Sequence, residues 1–170
     1  MDRGKPSYSN NLSNNGFEKA PIYEFNRLDN GYTDAEGNIK EQFMLGDAER
    51  LAKYLAGDKS IDRYNNEKYS GITSSQLRQF YGEVKALQSK MGKNGEDFIK
   101  VYPFILMLKS KASYKANREN SKLPEAFKIF IEKNVELVQK ANKEGKGYET
   151  FNNFALFYEV VIGFFKGATK

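Results

Sequence analysis

The sequence contains no cysteine, no histidine and no tryptophan. Without cysteine, a disulfide framework, a thiolate zinc site and a thiol nucleophile are all excluded. Without histidine, the commonest general base and metal ligand are missing, which excludes a Ser-His-Asp triad and an H-E-x-x-H zinc site. Hydrolysis would have to use carboxylates, lysine or tyrosine. The composition therefore favours binding over catalysis, and we predict no metal and no cofactor.

Long apolar runs are also missing. The most apolar run, residues 160–165, contains Gly163 and falls far short of the roughly 18–20 apolar residues that span a membrane. Residues 1–20 are rich in serine, asparagine and glycine and have no apolar core, which argues against an export signal. We therefore expect no membrane partner and a cytoplasmic location, which the absence of cysteine also fits.

Positive charge exceeds negative charge only modestly, with 27 Lys and Arg against 22 Asp and Glu. Its distribution is uneven: residues 1–70 hold 10 basic and 12 acidic side chains, whereas residues 71–170 hold 17 and 10. The basic second part is where we expect a polyanion to bind. A surface that is merely well solvated would have the same composition, and this alternative stays open.

The length of 170 residues suits a single domain. Residues 1–37 lack helical periodicity and predict a flexible N-terminal extension, and residues 38–170 predict a helical bundle domain. The fold class is therefore all-α, a single bundle of about five helices with a poorly structured N-terminal extension. Apolar spacing and helix-end signals predict the helices at residues 47–56, 73–91, 96–118, 124–141 and 149–166. Residues 58–71 predict a polar loop, and no β-hairpin is expected.

Two of these helices carry informative signals. Thr73 and Gln76 have the spacing of a capping box, which marks the start of the second helix. The last helix is apolar on most of its sides, so it is either buried in the middle of the bundle or shared with a partner.

A row of basic residues runs along the predicted 96–118 helix. If that helix continues to Lys122, then Lys111, Lys115, Arg118 and Lys122 form one stripe roughly 16 Å long. Such a stripe suits several phosphates of a nucleic acid, although a solvated face has the same pattern. Lys109 falls on the apolar side, and we expect it to snorkel or to reach an acidic group on another chain.

A second stripe lies on the helix that begins near Thr73. It consists of Ser74, Arg78, Gly82, Lys85 and Ser89. Glycine inside a helix costs about 0.5–1 kcal/mol relative to alanine, so close approach of another backbone would explain it. Plain helix packing is the alternative. Since only Tyr114 is placed to stack a base, we expect backbone contacts without sequence readout.

Paired carboxylates offer the only basis for catalysis. Asp58 with Asp62, and Glu132 with Glu136, are each spaced i, i+4. The second pair alternates with lysines, which is typical of a solvated, charge-mixed face. A carboxylate-dependent nuclease is the least favoured hypothesis.

The order of several short motifs resembles a known family. Residues 72–80, ITSSQLRQF, resemble the I-T-x-S-Q-[IL]-R opening of the Csm-type small subunit of type III-A CRISPR effector complexes. Residues 106–111 and 114–118 are similar to its L-x-x-K…Y…R helix. The aromatic run 151–166 is similar to its last helix. Residues 1–45 are longer and richer in asparagine and tyrosine than the family requires.

The resemblance implies a helical, non-catalytic subunit that holds target RNA. Copies of such a subunit stack as an inner filament beside the subunits that carry the guide RNA. The implied partners are target RNA and guide RNA, the Csm-type backbone and other effector subunits, and copies of itself as a filament or dimer. The predicted RNA-binding residues are Arg78, Lys85, Lys109, Lys111, Lys115 and Arg118, of which Arg78 best matches a motif position. A helical adaptor that binds only protein is the alternative.

Overall fold

The computed structural model describes residues 16–120 and 123–169. Within these residues the chain forms five α-helices, and the predicted all-α bundle is confirmed. They are α1 Ala48–Ala56, α2 Ser74–Lys90, α3 Phe98–Ala116, α4 Glu125–Asn142 and α5 Gly147–Ala168. A 3₁₀ turn at Phe25–Leu28 and a π-helical turn at Phe43–Asp47 precede α1.

Helix α5 lies at the centre of the bundle. It packs against α1, α2 and α4, while α3 packs against α4 and α2 at the edge. Tyr158 of α5 is fully buried, and its ring contacts Phe130 of α4 edge-on with the centroids 5.3 Å apart. The apolar residues on several sides of α5 are therefore explained largely by neighbouring helices of its own chain, although Leu156 remains exposed.

The predicted capping box at the start of α2 is confirmed. The Thr73 hydroxyl oxygen accepts a hydrogen bond from the Gln76 backbone N–H at 3.2 Å. The Gln76 side-chain oxygen in turn accepts from the Thr73 backbone N–H at 3.0 Å. Two backbone donors are thus satisfied, and the first residue of α2 is fixed at Ser74.

Part of the N-terminal region differs from the predicted flexible extension. Tyr23, Leu28 and Tyr32 are buried, and the Tyr32 hydroxyl donates to the side-chain oxygen of buried Asn134 on α4. We call residues 16–42 the N-terminal segment; its long polar stretches conceal these few aromatic and aliphatic anchors. The remainder of the predicted extension, residues 1–15, lies outside the described residues.

The prediction of a loop at residues 58–71 was wrong, because a short antiparallel hairpin forms there. Strands β1 Lys59–Ile61 and β2 Glu67–Tyr69 pair with Lys59 opposite Tyr69. The Asp62 carboxylate accepts the backbone N–H groups of Tyr64 at 2.8 Å and Asn66 at 3.0 Å. Asn65 has a φ of 65°, which asparagine tolerates better than most residues. The turn-forming residues Asp62 and Asn65 were the sequence signal for the hairpin, since its strands show no alternation of apolar and polar residues.

Candidate nucleic-acid interface

Helices α2 and α3 lie side by side, and one carboxylate joins them. Glu83 on α2 pairs with Lys111 at 2.9 Å and with Lys115 at 3.4 Å, both on α3. The Lys115 ammonium also lies 5.3 Å from the centroid of the Phe80 ring. Two positive charges share one negative charge, so this part of the surface keeps a net positive charge.

The predicted four-residue stripe on a single helix was wrong. Helix α3 ends at Ala116, with Asn117 as its C-cap, so Arg118 belongs to the α3–α4 connection. The Arg118 guanidinium lies 5.9 Å from the centroid of the Tyr114 ring. Lys122 lies outside the described residues. Lys111 and Lys115 do lie on one helix, as predicted. The prediction failed beyond them, because the apolar residues of α3 are reduced to alanines near its end.

Lys109 is exposed rather than placed on a buried side. Its ammonium donates to Glu136 on α4 at 2.9 Å, so its acidic partner belongs to the same chain and not to another chain. The hydrogen bond from Lys109 to Glu136 raises the pKa of Lys109 above its ordinary value. Because α3 lies at the edge of the bundle, Lys109 is exposed at the boundary between α3 and α4. The angular position of Lys109 around its own helix could not predict this exposure.

The second predicted stripe lies together on one exposed side of α2. We call Ser74, Arg78, Gly82, Lys85 and Ser89 the α2 face. A Cβ atom built on Gly82 meets nothing within 4 Å, so no internal packing requires glycine there. Lys85 donates to the Gln88 side-chain oxygen at 2.7 Å. Among the described residues, no carboxylate forms an ion pair with Arg78 or Lys85.

A small cleft opens where the start of α2 meets the end of α3. Its volume is about 120 Å³, and its lining comprises Gln76, Gln79, Phe80, Lys115, Arg118 and Leu123. The cleft therefore brings two of the predicted RNA-binding residues, Lys115 and Arg118, to the N-terminal end of the helix that carries Arg78.

The first pair of carboxylates, Asp58 and Asp62, has a role in the fold. Asp58 accepts the backbone N–H of Ala20 at 2.9 Å, and Asp62 caps the hairpin turn. The backbone N–H of Asn66 lowers the pKa of Asp62, whereas a general base needs a pKa nearer to neutrality. In the described ranges, no three acidic side chains gather to hold a metal ion.

No helix within the described ranges is long and apolar enough to cross a membrane.

Comparison with known proteins decides the family. The family model described as Csm2 Type III-A matches residues 46–170. The chain belongs to the Csm2 family. It is thus a small subunit of the type III-A CRISPR complex. Members of the Csm2 family associate with the other Csm effector subunits of that complex. No curated protein and no solved structure matches the chain.

The Csm2 match covers all five helices and the hairpin, but it begins after the whole of the N-terminal segment. Sequence reasoning missed one exposed feature inside the matched range. At the tip of the hairpin, the Arg63 guanidinium lies 4.7 Å from the centroid of the Tyr64 ring. The sequence did contain a signal for this feature, because the adjacent residues Arg63 and Tyr64 lie between turn-forming residues. The signal was missed because residues 58–71 were predicted to be a loop.

Proposed function

We propose that this Csm2-family protein is a non-catalytic subunit that holds target RNA, or the guide–target duplex, through sequence-independent backbone contacts. It does so in the cytoplasm, as one of several copies stacked in an inner filament of the effector complex. The observation that carries the proposal is the α2 face, where Arg78 and Lys85 flank the bare backbone at Gly82.

The chemistry of the α2 face suits a phosphate backbone. The planar guanidinium of Arg78 can donate two parallel hydrogen bonds to one phosphate, and Lys85 adds a compact point charge. Without a side chain at Gly82, a sugar-phosphate strand can approach the helix closely. Gly82 destabilises the helix relative to alanine, and no contact within the chain requires a glycine there.

The remaining predicted RNA-binding residues differ in how far their charge is already neutralised. Arg118 has no carboxylate partner among the described residues, whereas Lys111 and Lys115 share Glu83. Lys109 has Glu136 to itself. All these pairs are at least partly exposed and can exchange partners, so we expect Arg118 to contribute most of the four and Lys109 least.

Stacking of copies would join these short cationic surfaces into a continuous track. A single α2 face offers two cations without a carboxylate partner among the described residues, and several faces in a row bind a strand far more tightly through raised effective concentration. We therefore expect the isolated subunit to bind RNA weakly compared with the assembled complex.

The test uses the reconstituted effector complex carrying the double variant R78E/K85E. Its affinity for target RNA should fall, and the dependence of log K on log salt should flatten by about 0.7–0.9 for each phosphate that the variant no longer neutralises. K143E is the matched control, because Lys143 is an exposed lysine just after α4. Unchanged affinity and slope in a complex of normal composition would contradict the proposal.

The alternative, a helical adaptor with no direct RNA contact, is favoured by one observation. On α3, the apolar side chains of Ile99, Phe104 and Met107 are exposed, with 72 % of Ile99 accessible. An apolar surface of this kind suits a protein neighbour. If the adaptor hypothesis holds, M107E displaces the subunit from the complex, while R78E/K85E leaves RNA affinity intact.

A further inference from the structure

Two tyrosines are much more exposed than the other tyrosines that the structure describes. Tyr64 at the hairpin tip is 68 % exposed and Tyr114 near the end of α3 is 69 % exposed, whereas all the other described tyrosines are buried or half-buried. Each exposed ring has an arginine beside it, Arg63 at 4.7 Å and Arg118 at 5.9 Å from the ring centroids. The same pairing thus occurs twice, on unrelated elements.

The Tyr114–Arg118 pair lies beside the N-terminal end of α2, and the hairpin that carries the Tyr64–Arg63 pair immediately precedes α2 in the chain. Strand β2 ends at Tyr69 and α2 begins at Ser74, so the hairpin leads directly into this helix. Arg118 shares a cleft with Gln79 from the second turn of α2. Arg78 lies one residue before Gln79. The Tyr114–Arg118 pair is therefore close to the helix end that carries Arg78, the residue that best matches a family motif position.

The hairpin tip is held in place before any ligand binds. Asp62 accepts two backbone N–H groups of the turn, and its other carboxylate oxygen lies 3.5 Å from the Lys68 ammonium. A ring presented on such a turn loses little conformational freedom on binding. Since Lys68 offsets the charge of Asp62, and no carboxylate of the described residues forms an ion pair with Arg63, the local charge around Tyr64 favours an anionic partner.

We propose that unpaired bases of single-stranded RNA stack on Tyr64 and Tyr114. The inference rests on the proposed function and adds base contacts to the phosphate contacts of the α2 face. Stacking on an aromatic ring tolerates every base, because each base has a π-face. Arg63 and Arg118 add cation–π and phosphate contacts without reading sequence. A base that remains paired in a duplex is not available to these rings.

The test compares two labelled RNAs of equal length, an oligouridylate and an abasic ribose-phosphate oligomer. The full chain at low salt is titrated with each, and fluorescence anisotropy gives the affinities. The wild type should prefer the oligouridylate by at least about five-fold for each stacked base. Y64A/Y114A should lose this preference and still bind the abasic oligomer as the wild type does. Y64F/Y114F should retain the preference, because phenylalanine keeps the aromatic face.

Three results would overturn the stacking proposal. Equal affinity of the wild type for both RNAs excludes stacking and leaves the phosphate contacts standing. Failure of the chain to bind either RNA also overturns it, whereas the proposed function is judged separately by R78E/K85E in the assembled complex. If Y64A/Y114A keeps the oligouridylate preference but no longer joins the complex, the tyrosines contact protein. Thermal unfolding of each variant verifies that the fold is retained.

Discussion

The carboxylate of Glu83 lies 2.9 Å from the Lys111 ammonium, and it also reaches Lys115. The acid on α2 therefore restrains the two lysines of α3 and reduces the positive charge that they offer to a polyanion. Removing this one acid should alter RNA binding without removing any basic residue.

We expect E83Q to raise the affinity of the assembled complex for target RNA and to steepen its salt dependence, because Lys111 and Lys115 become free to bind phosphates. Exposure is substantial in both ion pairs, so the free energy of unfolding should fall by less than about 1 kcal/mol. E136Q is the matched control, since it frees only Lys109. If E136Q has the larger effect on RNA affinity, the ranking of these lysines is wrong.

Replacing Gly82 should separate stability from RNA binding. G82A should increase the free energy of unfolding by about 0.5–1 kcal/mol, because the added Cβ meets no atom within 4 Å and alanine favours the helix. G82L should weaken RNA binding by the complex, because its side chain covers the backbone between Arg78 and Lys85. Denaturant unfolding and RNA titration are the two measurements.

Gly163 provides the control for Gly82. It lies within α5, and a Cβ atom built there also meets nothing within 4 Å. G163A should therefore stabilise the chain by a similar amount, and G163L should leave RNA affinity unchanged. Equal weakening of RNA binding in G82L and G163L would refute a specific role for the bare backbone of α2.

The buried hydrogen bond between Tyr32 and Asn134 anchors the N-terminal segment to the bundle. Y32F leaves the buried Asn134 oxygen without its donor, which should lower the free energy of unfolding by about 1–3 kcal/mol. Y64F, at an exposed position, should unfold like the wild type. A negligible effect of Y32F in urea titrations would show that the segment is not coupled to the bundle.

The hairpin turn should loosen in acid. The N–H of Asn66 holds the pKa of Asp62 below its ordinary value, so the stabilisation is complete above the unfolded pKa of about 3.9 and is lost as the pH falls through the folded pKa. The amide resonances of Tyr64 and Asn66 should report this transition as the pH falls below about 3.9. In D62N, which cannot titrate at this position, the transition should be absent.

The sequence predicted the parts of the fold that depend on local rules. The capping box at Thr73 and the apolar periodicity placed all five helices to within two residues at each end, because packing reinforced those signals. Tyr23 and Tyr32 were assigned to a flexible extension, because isolated anchors in a polar stretch have no period to detect.

The residues of the candidate site could be predicted from the sequence, but their ion-pair partners on neighbouring helices could not. The α2 face was correctly grouped, since all five residues lie on one regular helix. The pairing of Lys109 with Glu136 and of Lys111 with Glu83 depends on which helices are neighbours. That information is carried by the tertiary structure rather than by the spacing of residues along one helix.

The boundary of the family match at residue 46 is not a boundary of the folded domain. Phe43 packs its ring edge-on against Phe157 of α5, with the centroids 5.8 Å apart, and Tyr32 packs against the same ring. Trimming the gene to the matched residues would leave Phe157 and Asn134 facing solvent. Poor expression of such a truncated protein would then reflect an uncovered core, and shortened versions should begin upstream of Tyr23.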